Sequence, residues 1–267
     1  VVARSIRVCS WNVEWFGLAK SDVSTEINAG ETIATIIRNL HTVVATVKKS
    51  NPDILCIQEV ASPDTIAKLM TLLPSYKLWT PKIESAGHQY NVIITNSGVN
   101  VTDHGVLETT PKMVYVVIDN DTVVTNIHLR SDYTGDNSIE RQKQIAVLLK
   151  WLDSRKFKNI LVCGDFNSNV GSFELKMMDE QFINLMMSRK YTGSMAKKNS
   201  IWMDKNSSGT VDLNELFLID HFYVNYGLFK KVSDVYIDRL VYEKVFKYDS
   251  LDKISDHYPI IFDYASS

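Results

Sequence analysis

The chain has 267 residues, 45% of them apolar, a formal net charge of −2 and no linker rich in Pro, Gly or Ser. That length and composition fit one α/β domain spanning 1–267 with a sizeable core, and no run approaches the ~18 apolar residues of a membrane span. The near-zero charge excludes indiscriminate capture of polyanions, so any such ligand must be held locally.

The first strand starts near Ile6 and delivers Trp11-Asn12-Val13-Glu14. Over residues 28–50, Ile33, Ile36, Ile37, Leu40, Val43, Val44 and Val47 recur every three or four positions, the stripe of a core-facing helix. Asn51-Pro52 then leads into a strand that ends at Gln58-Glu59. A shorter helix is predicted over 63–73, and strands over 76–80, 90–95, 112–118 and 122–129, with Asp119-Asn120-Asp121 as a hairpin turn. Helices are predicted over 137–155 and 172–189, the second on Leu175, Met178, Phe182, Ile183 and Met186. Strands near 216–224, 232–237 and 258–264 close the chain. Strands and helices alternate in each half while hairpins add antiparallel pairs. This predicts an α/β fold, a four-layer sandwich of two mixed β-sheets flanked by helices.

Cys9, Cys56 and Cys163 lie inside apolar runs, and an odd count there favours core thiols in a reducing, intracellular compartment over a disulfide framework. The chain enters a strand at once instead of opening on a charged and then apolar leader.

The most informative run is Ile160-Leu161-Val162-Cys163-Gly164-Asp165-Phe166-Asn167-Ser168. Side chains at i and i+2 share one face, so a buried strand ending this way presents a carboxylate and an amide together. The construction recurs at Asn12 and Glu14, at Gln58-Glu59, at Asn126-Ile127-His128 and at Ser255-Asp256-His257-Tyr258-Pro259. Strand ends carrying Asn, Asp, Glu and His describe one pocket for a hard metal ion and a phosphate ester.

Taken in order, these motifs resemble the endonuclease/exonuclease/phosphatase superfamily, which includes pancreatic-type deoxyribonuclease, abasic-site endonucleases, inositol polyphosphate 5-phosphatases, neutral sphingomyelinases and deadenylases. The resemblance covers residues 6 to 262 and implies the same four-layer architecture. It implies Glu59 as metal ligand for Mg²⁺ or Mn²⁺, with Asn12 and Asp256 at the metal side and Glu14 as a weaker candidate. Asp165 is assigned to orienting the attacking water, and Asn167 to holding the nucleophile or a phosphate oxygen. His257 is expected on a non-bridging phosphate oxygen, with Asp220 behind it to fix its tautomer. His128 is the expected proton donor to the leaving oxygen, and Arg130 and Arg141 are expected to reach phosphate. His221 should point away from the site, since it follows Asp220 on a strand.

Residues 204–215 fit the twelve-residue calcium loop, with Asp204, Asn206, Ser208, Thr210, Asp212 and Glu215 at the ligand positions and Gly209 at the sharp turn. This makes the segment a candidate structural Ca²⁺ site.

The motifs favour a nuclease on DNA or RNA acting as a monomer. Inositol phosphatases would show Trp-Cys-Asp-Arg where this chain has Ile201-Trp202-Met203-Asp204, and abasic-site enzymes a Trp-Gly-Phe segment where it has Asn225-Tyr226-Gly227-Leu228-Phe229. The alternative enzyme acts on a sphingolipid or inositol-phosphate headgroup. A third reading, a non-catalytic binding module, would be expected to lack one of Asn12, Glu59, Asp165, Asn167 or His257, and all are present.

Overall fold

The structure, a computed structural model, describes residues 4–17, 33–79, 88–107, 112–193, 198–202, 216–239 and 255–266. In chain order it contains β1 (Ser5–Phe16), α1 (Ile33–Ser50), β2 (Ile54–Val60), α2 (Pro63–Leu72), β3 (Tyr76–Trp79), β4 (Tyr90–Asn96) and β5 (Val101–Val106). There follow β6 (Met113–Ile118), β7 (Thr122–His128), α3 (Ser138–Arg155), β8 (Asn159–Asp165), α4 (Lys176–Gln181) and β9 (Ile183–Asn184). The last elements are β10 (Ile201–Trp202), β11 (Leu216–Phe217), β12 (Asp220–Val224), α5 (Tyr226–Phe229), β13 (Val232–Ile237) and β14 (Ile260–Ala265).

Local chemistry sets several of these boundaries. Ser62 caps α2, its hydroxyl accepting from Thr65 N, and Pro63 occupies the first turn, where its missing N–H costs nothing. Asp119 and Asn120 take φ of 51° and 60°, the pair of left-handed residues that a tight turn between β6 and β7 requires.

Two six-stranded sheets result, in the orders β13-β14-β1-β2-β4-β3 and β5-β6-β7-β8-β12-β9. Each has one parallel pair at its centre, β1 with β2 and β7 with β8. The inner faces meet in one apolar cluster, to which Val8, Cys56 and Ile93 contribute from the first sheet and Val116, Val124, Leu161, Cys163 and Phe222 from the second. Leu40, Val43 and Val47 of α1 and Ile66 and Leu69 of α2 join that cluster. On the far side of the second sheet, Val123, Ile127, Val162 and Tyr223 pack with Ile145, Leu148 and Leu152 of α3 and Met178 of α4. The layers are those expected, an α/β sandwich of two mixed sheets flanked by helices. Removing one of these fully buried aliphatic side chains costs roughly 2–5 kcal/mol. All three cysteines are buried free thiols. Among the described residues no helix is long and apolar enough to cross a membrane.

Several elements differ from expectation, among them the short β10 and α5, which the sequence reading did not include. The helix over 172–189 is interrupted: α4 ends at Gln181, Phe182 turns extended, and Ile183 and Asn184 pair with β12. Asn184 then accepts from Met186 N and starts a separate turn, so sheet pairing overrides the periodic apolar stripe. The strand over 216–224 is broken at Leu218-Ile219, where Ser200 Oγ accepts from both Ile219 N and Asp220 N. Edge strand β5 was not anticipated, because its Thr102-Asp103-His104-Gly105 centre has no apolar alternation. The calcium-loop segment 204–215 and the start of the first helix, 28–32, lie outside the described residues.

Candidate active site

Along β7 and β8 the inner face reads Val124, Asn126, His128 and Leu161, Cys163, Asp165. Apolar packing residues thus give way to polar ones at the carboxyl ends of the parallel pair. Register places His128 and Asp220 on either side of Asp165, and Asn12 beside Gln58. Gly164 permits this close approach: with φ of 133°, a Cβ there would lie 1.9 Å from Ile127 O. At the strand ends, Glu59 near the end of β2 and Asn167 just past β8 adopt left-handed φ of 61° and 49°. For Glu59 in particular such a backbone costs about 1–2 kcal/mol and persists where the surroundings impose it, a recurrent mark of functional sites.

The structure brings Asn12, Glu59, His128, Asp165, Asn167, Asp220 and His257 together. Asn12 Nδ2 donates to Glu59 Oε1 and to Asp165 Oδ2, both at 2.9 Å, joining carboxylates from the two sheets. Its Oδ1 accepts from Glu14 N at 3.0 Å, so the amide bridges two carboxylates and is itself held in place. Asp165 Oδ1 accepts from Asn167 N at 2.8 Å, and Asn167 Nδ2 donates to Leu129 O at 2.9 Å. His128 Nε2 stands 3.7 Å from both Glu59 Oε1 and Asp165 Oδ2.

His257 arrives on a pinned turn. Ser255 Oγ donates to Asn12 O and accepts from His257 N, and Trp11 Nε1 donates to His257 O. The ring's Nδ1 lies 2.8 Å from Asp220 Oδ2, while Nε2 is 3.6 Å from Asp165 Oδ2 and from Asp256 Oδ1. Asp256 N donates to Glu14 Oε2 at 3.2 Å.

The electrostatics divide the two histidines. Burial alone would neutralise His257, but Asp220, Asp256 and Asp165 outweigh it and raise its pKa well above the usual value. Its Nδ1–H then donates to Asp220, and a second N–H faces Asp165. His128 is driven the other way by burial, Lys112 and His257, to well below the usual value. Its Nδ1 is buried without a hydrogen-bond partner, so the proton of the neutral ring belongs on Nε2, facing the carboxylates. The neutral form of His128 is thus the favoured one beside a charged His257. Burial pushes the Asp165 carboxyl up to about 7, the charge of His257 opposing and that of Asp220 adding.

Glu59, His128 and Asp165 offer ligand atoms within 4.8 Å of one another, as do Asp165, Asp220 and His257. The second set is already closed by the Asp220–His257 bond. In the first, His128 Nε2 carries its proton and the donors are the Glu59 and Asp165 carboxylates, two of them against one amide, which fits a divalent cation.

Other expected residues fall elsewhere. Arg141 is buried, its guanidinium engaged by Asp132 and Glu174 on the loops that follow β7 and β8. Arg130 is exposed, its backbone N–H held by Gln144 Oε1. His221 is buried on the opposite face as expected, with Nε2 2.8 Å from Ser168 O and Nδ1 3.3 Å from Asn184 Nδ2.

Two further features surround the cluster. Lys112 opens the segment before β6, bonds Gln89 Oε1 through Nζ at 2.7 Å, and has its pKa lowered by burial against the pull of Glu59 and Asp165. It therefore sets a cation beside the carboxylates. Gln58 Nε2 donates to Asn126 Oδ1 at 2.7 Å, and Asn126 Nδ2 to Ile57 O and Val92 O, tying the two sheets directly behind the site.

The chain belongs to the Endonuclease/Exonuclease/phosphatase family, whose model matches residues 9–257. Among solved structures it is similar to an AP endonuclease from Archaeoglobus fulgidus, with 16% identity, TM-score 0.67, and 97% of this chain and 99% of that one covered. It is similar to D. rerio TDP2 complexed with single strand DNA product, at 15% identity and TM-score 0.66, covering 98% and 99%. A Bacteroides thetaiotaomicron endonuclease/exonuclease/phosphatase family protein aligns at 14% identity and TM-score 0.69 over the whole of both chains. No curated protein matches the sequence.

Proposed function

We propose that this protein is a divalent-cation-dependent phosphodiesterase that hydrolyses nucleic acid by in-line attack of water. The observation that carries this reading is the pairing of the Glu59, His128 and Asp165 triangle with a charged His257 across a shared carboxylate. The family supports phosphoric ester hydrolysis, and the fold shared with a protein solved with a single strand DNA product supports a nucleic-acid substrate.

Glu59 would hold Mg²⁺ or Mn²⁺, which when bound offsets charge on the phosphoryl oxygens. Asp165 is oriented through both oxygens, by Asn167 N and by Asn12 Nδ2, and when ionised it accepts a proton from water. Asn167 lies next to it, fixed by Leu129 O, to steady the nucleophile or a phosphate oxygen. His257 donates from Nε2 to a non-bridging oxygen and stabilises the transition-state charge, with Asp220 holding its other nitrogen. His128, neutral with its N–H toward the pocket, donates a hydrogen bond without adding charge. Lys112, within the electrostatic reach of Glu59, Asp165 and Arg130, supplies local positive charge in a chain of net charge −2.

One comparison tests this. Plasmid DNA, single-stranded RNA, an abasic duplex, sphingomyelin vesicles and inositol phosphates are incubated with the protein in Mg²⁺ and in EDTA. Cleavage of nucleic acid in Mg²⁺ alone is expected. Turnover confined to the lipid or inositol substrates overturns the nuclease reading, and full turnover in EDTA overturns the cation assignment.

A further inference from the structure

Arg141 gathers two turns on one side of the site. Its Nη1 donates to Asp132 Oδ1 at 2.7 Å and to Arg130 O at 3.0 Å, while Nη2 and Nε donate to Glu174 Oε1 at 2.8 and 3.1 Å. Glu174 Oε1 also accepts from Ser168 Oγ at 2.8 Å. Asp132 begins the short turn Asp132–Thr134 that follows His128, and Glu174 lies in the turn Phe173–Leu175 that follows Asn167 and Ser168. One buried guanidinium therefore locks together the two loops that leave β7 and β8 at the catalytic pole.

Each of these turns holds an aromatic ring in water. Tyr133 is 94% exposed and Phe173 is 71% exposed. Phenylalanine gains much from burial, so a ring left outside on a turn anchored by a buried ion pair is not serving the core. The anchoring also fixes where the rings stand, so a ligand meets them without first ordering the loops. Around the rings the turns carry Ser131, Thr134 and Ser172. Two exposed rings carried on different turns match planar ligands taken one at a time. A lipid surface calls for a continuous apolar patch.

We propose that Tyr133 and Phe173 form a stacking pair for the bases that flank the scissile phosphodiester of a single-stranded nucleic acid, with Arg141 as the positioning residue that sets their spacing. The inference rests on the nucleic-acid reading of the site. Base stacking on aromatic rings tolerates any sequence, because every base has a π-face. In a duplex those faces are occupied by neighbouring base pairs, so the pair selects unpaired strands.

The test measures KM on a single-stranded oligonucleotide and on one of equal length whose bases are replaced by tetrahydrofuran residues, for wild type and for the Tyr133→Ala/Phe173→Ala variant. Thermal melts establish that both proteins are folded. Wild type is expected to have a KM roughly tenfold or more lower on the base-bearing strand, the scale of one or two stacking contacts. The double variant should lose that preference, Tyr133→Phe should keep it, and Arg141→Lys, which retains charge but not the two-sided fork, should weaken it. Equal preference in wild type and double variant, or none in wild type, overturns the stacking pair while leaving a nuclease. Hydrolysis of neither strand, with turnover of sphingomyelin or inositol phosphates, overturns the nucleic-acid reading and the pair with it.

Discussion

His257 Nδ1 and Asp220 Oδ2 stand 2.8 Å apart, joining the turn before β14 in one sheet to the first residue of β12 in the other. The bond decides which histidine of the site is charged. Burial opposes the proton on His257, and Asp220 is the first of the three carboxylates that overcome it. Asp220→Asn removes that charge, so His257 loses its proton at a lower pH. The alkaline limb of the kcat/KM profile is expected to move to lower pH, with activity above the limb reduced by at least ~10²-fold. Profiles of wild type and variant over the same buffers check this; superimposable limbs would remove His257 from the charged role.

Asp165 sits at the opposite balance. Its carboxyl is raised to about 7, chiefly by burial, so ionising it in the fold opposes stability above the ordinary carboxylate range. The sign follows from linkage: stability is fullest below about pH 4 and falls as pH rises through about 7. Asp165→Asn should therefore be inactive yet melt higher than wild type at pH 8. The ceiling is on the order of 4 kcal/mol from the shift between about 4 and about 7. At pH 4 the difference should vanish, and Mg²⁺ at pH 8 should narrow it by stabilising only wild type. A variant less stable than wild type at pH 8 contradicts this account.

Glu59→Gln retains shape and the left-handed backbone but not the charge. Since a neutral amide is a poor partner for Mg²⁺, activity should fall by at least ~10²-fold. Melts without cation should be nearly unchanged, and Mg²⁺ should no longer raise the midpoint. Isothermal titration with Mg²⁺ provides the direct measurement, and undiminished binding would move the ion to other ligands.

Gly164→Ala tests the closeness of β7 and β8. A methyl group placed 1.9 Å from Ile127 O on a backbone with φ of 133° forces the strands apart. A loss of at least ~3 kcal/mol is expected, read by chemical denaturation. A loss under about 1 kcal/mol would mean that the strand ends yield easily.

Much of this was legible because strand ends carry their own signature. The apolar runs before Asp165, His128 and Glu59 are all buried strands, and the polar residues that end them converge. The helix predicted over 172–189 misled because Leu175, Met178, Phe182 and Met186 keep a helical spacing, whereas pairing of Ile183 and Asn184 with β12 is a tertiary preference with no local trace. Lys112 could not be found for a related reason. Its nearness to Glu59 and Asp165 arises from one sheet stacking on another, while in the chain it is a lone lysine at the start of a predicted strand. Arg141 was noticed through resemblance, but its partners Asp132 and Glu174 lie on separate loops that only the folded chain brings together.

The bridge made by Asn12 Nδ2 between Glu59 and Asp165 crosses from one sheet to the other. Each sheet alone holds half a constellation, and what completes it is sideways alignment of two layers whose contact is mostly non-directional grease, steadied by Gln58 and Asn126. A slip of about 1 Å between layers would disperse the reacting groups while every strand kept its ladder of hydrogen bonds. The chemistry is thus a gauge of registration between layers, and under rising denaturant it should fade before the sheets themselves begin to melt.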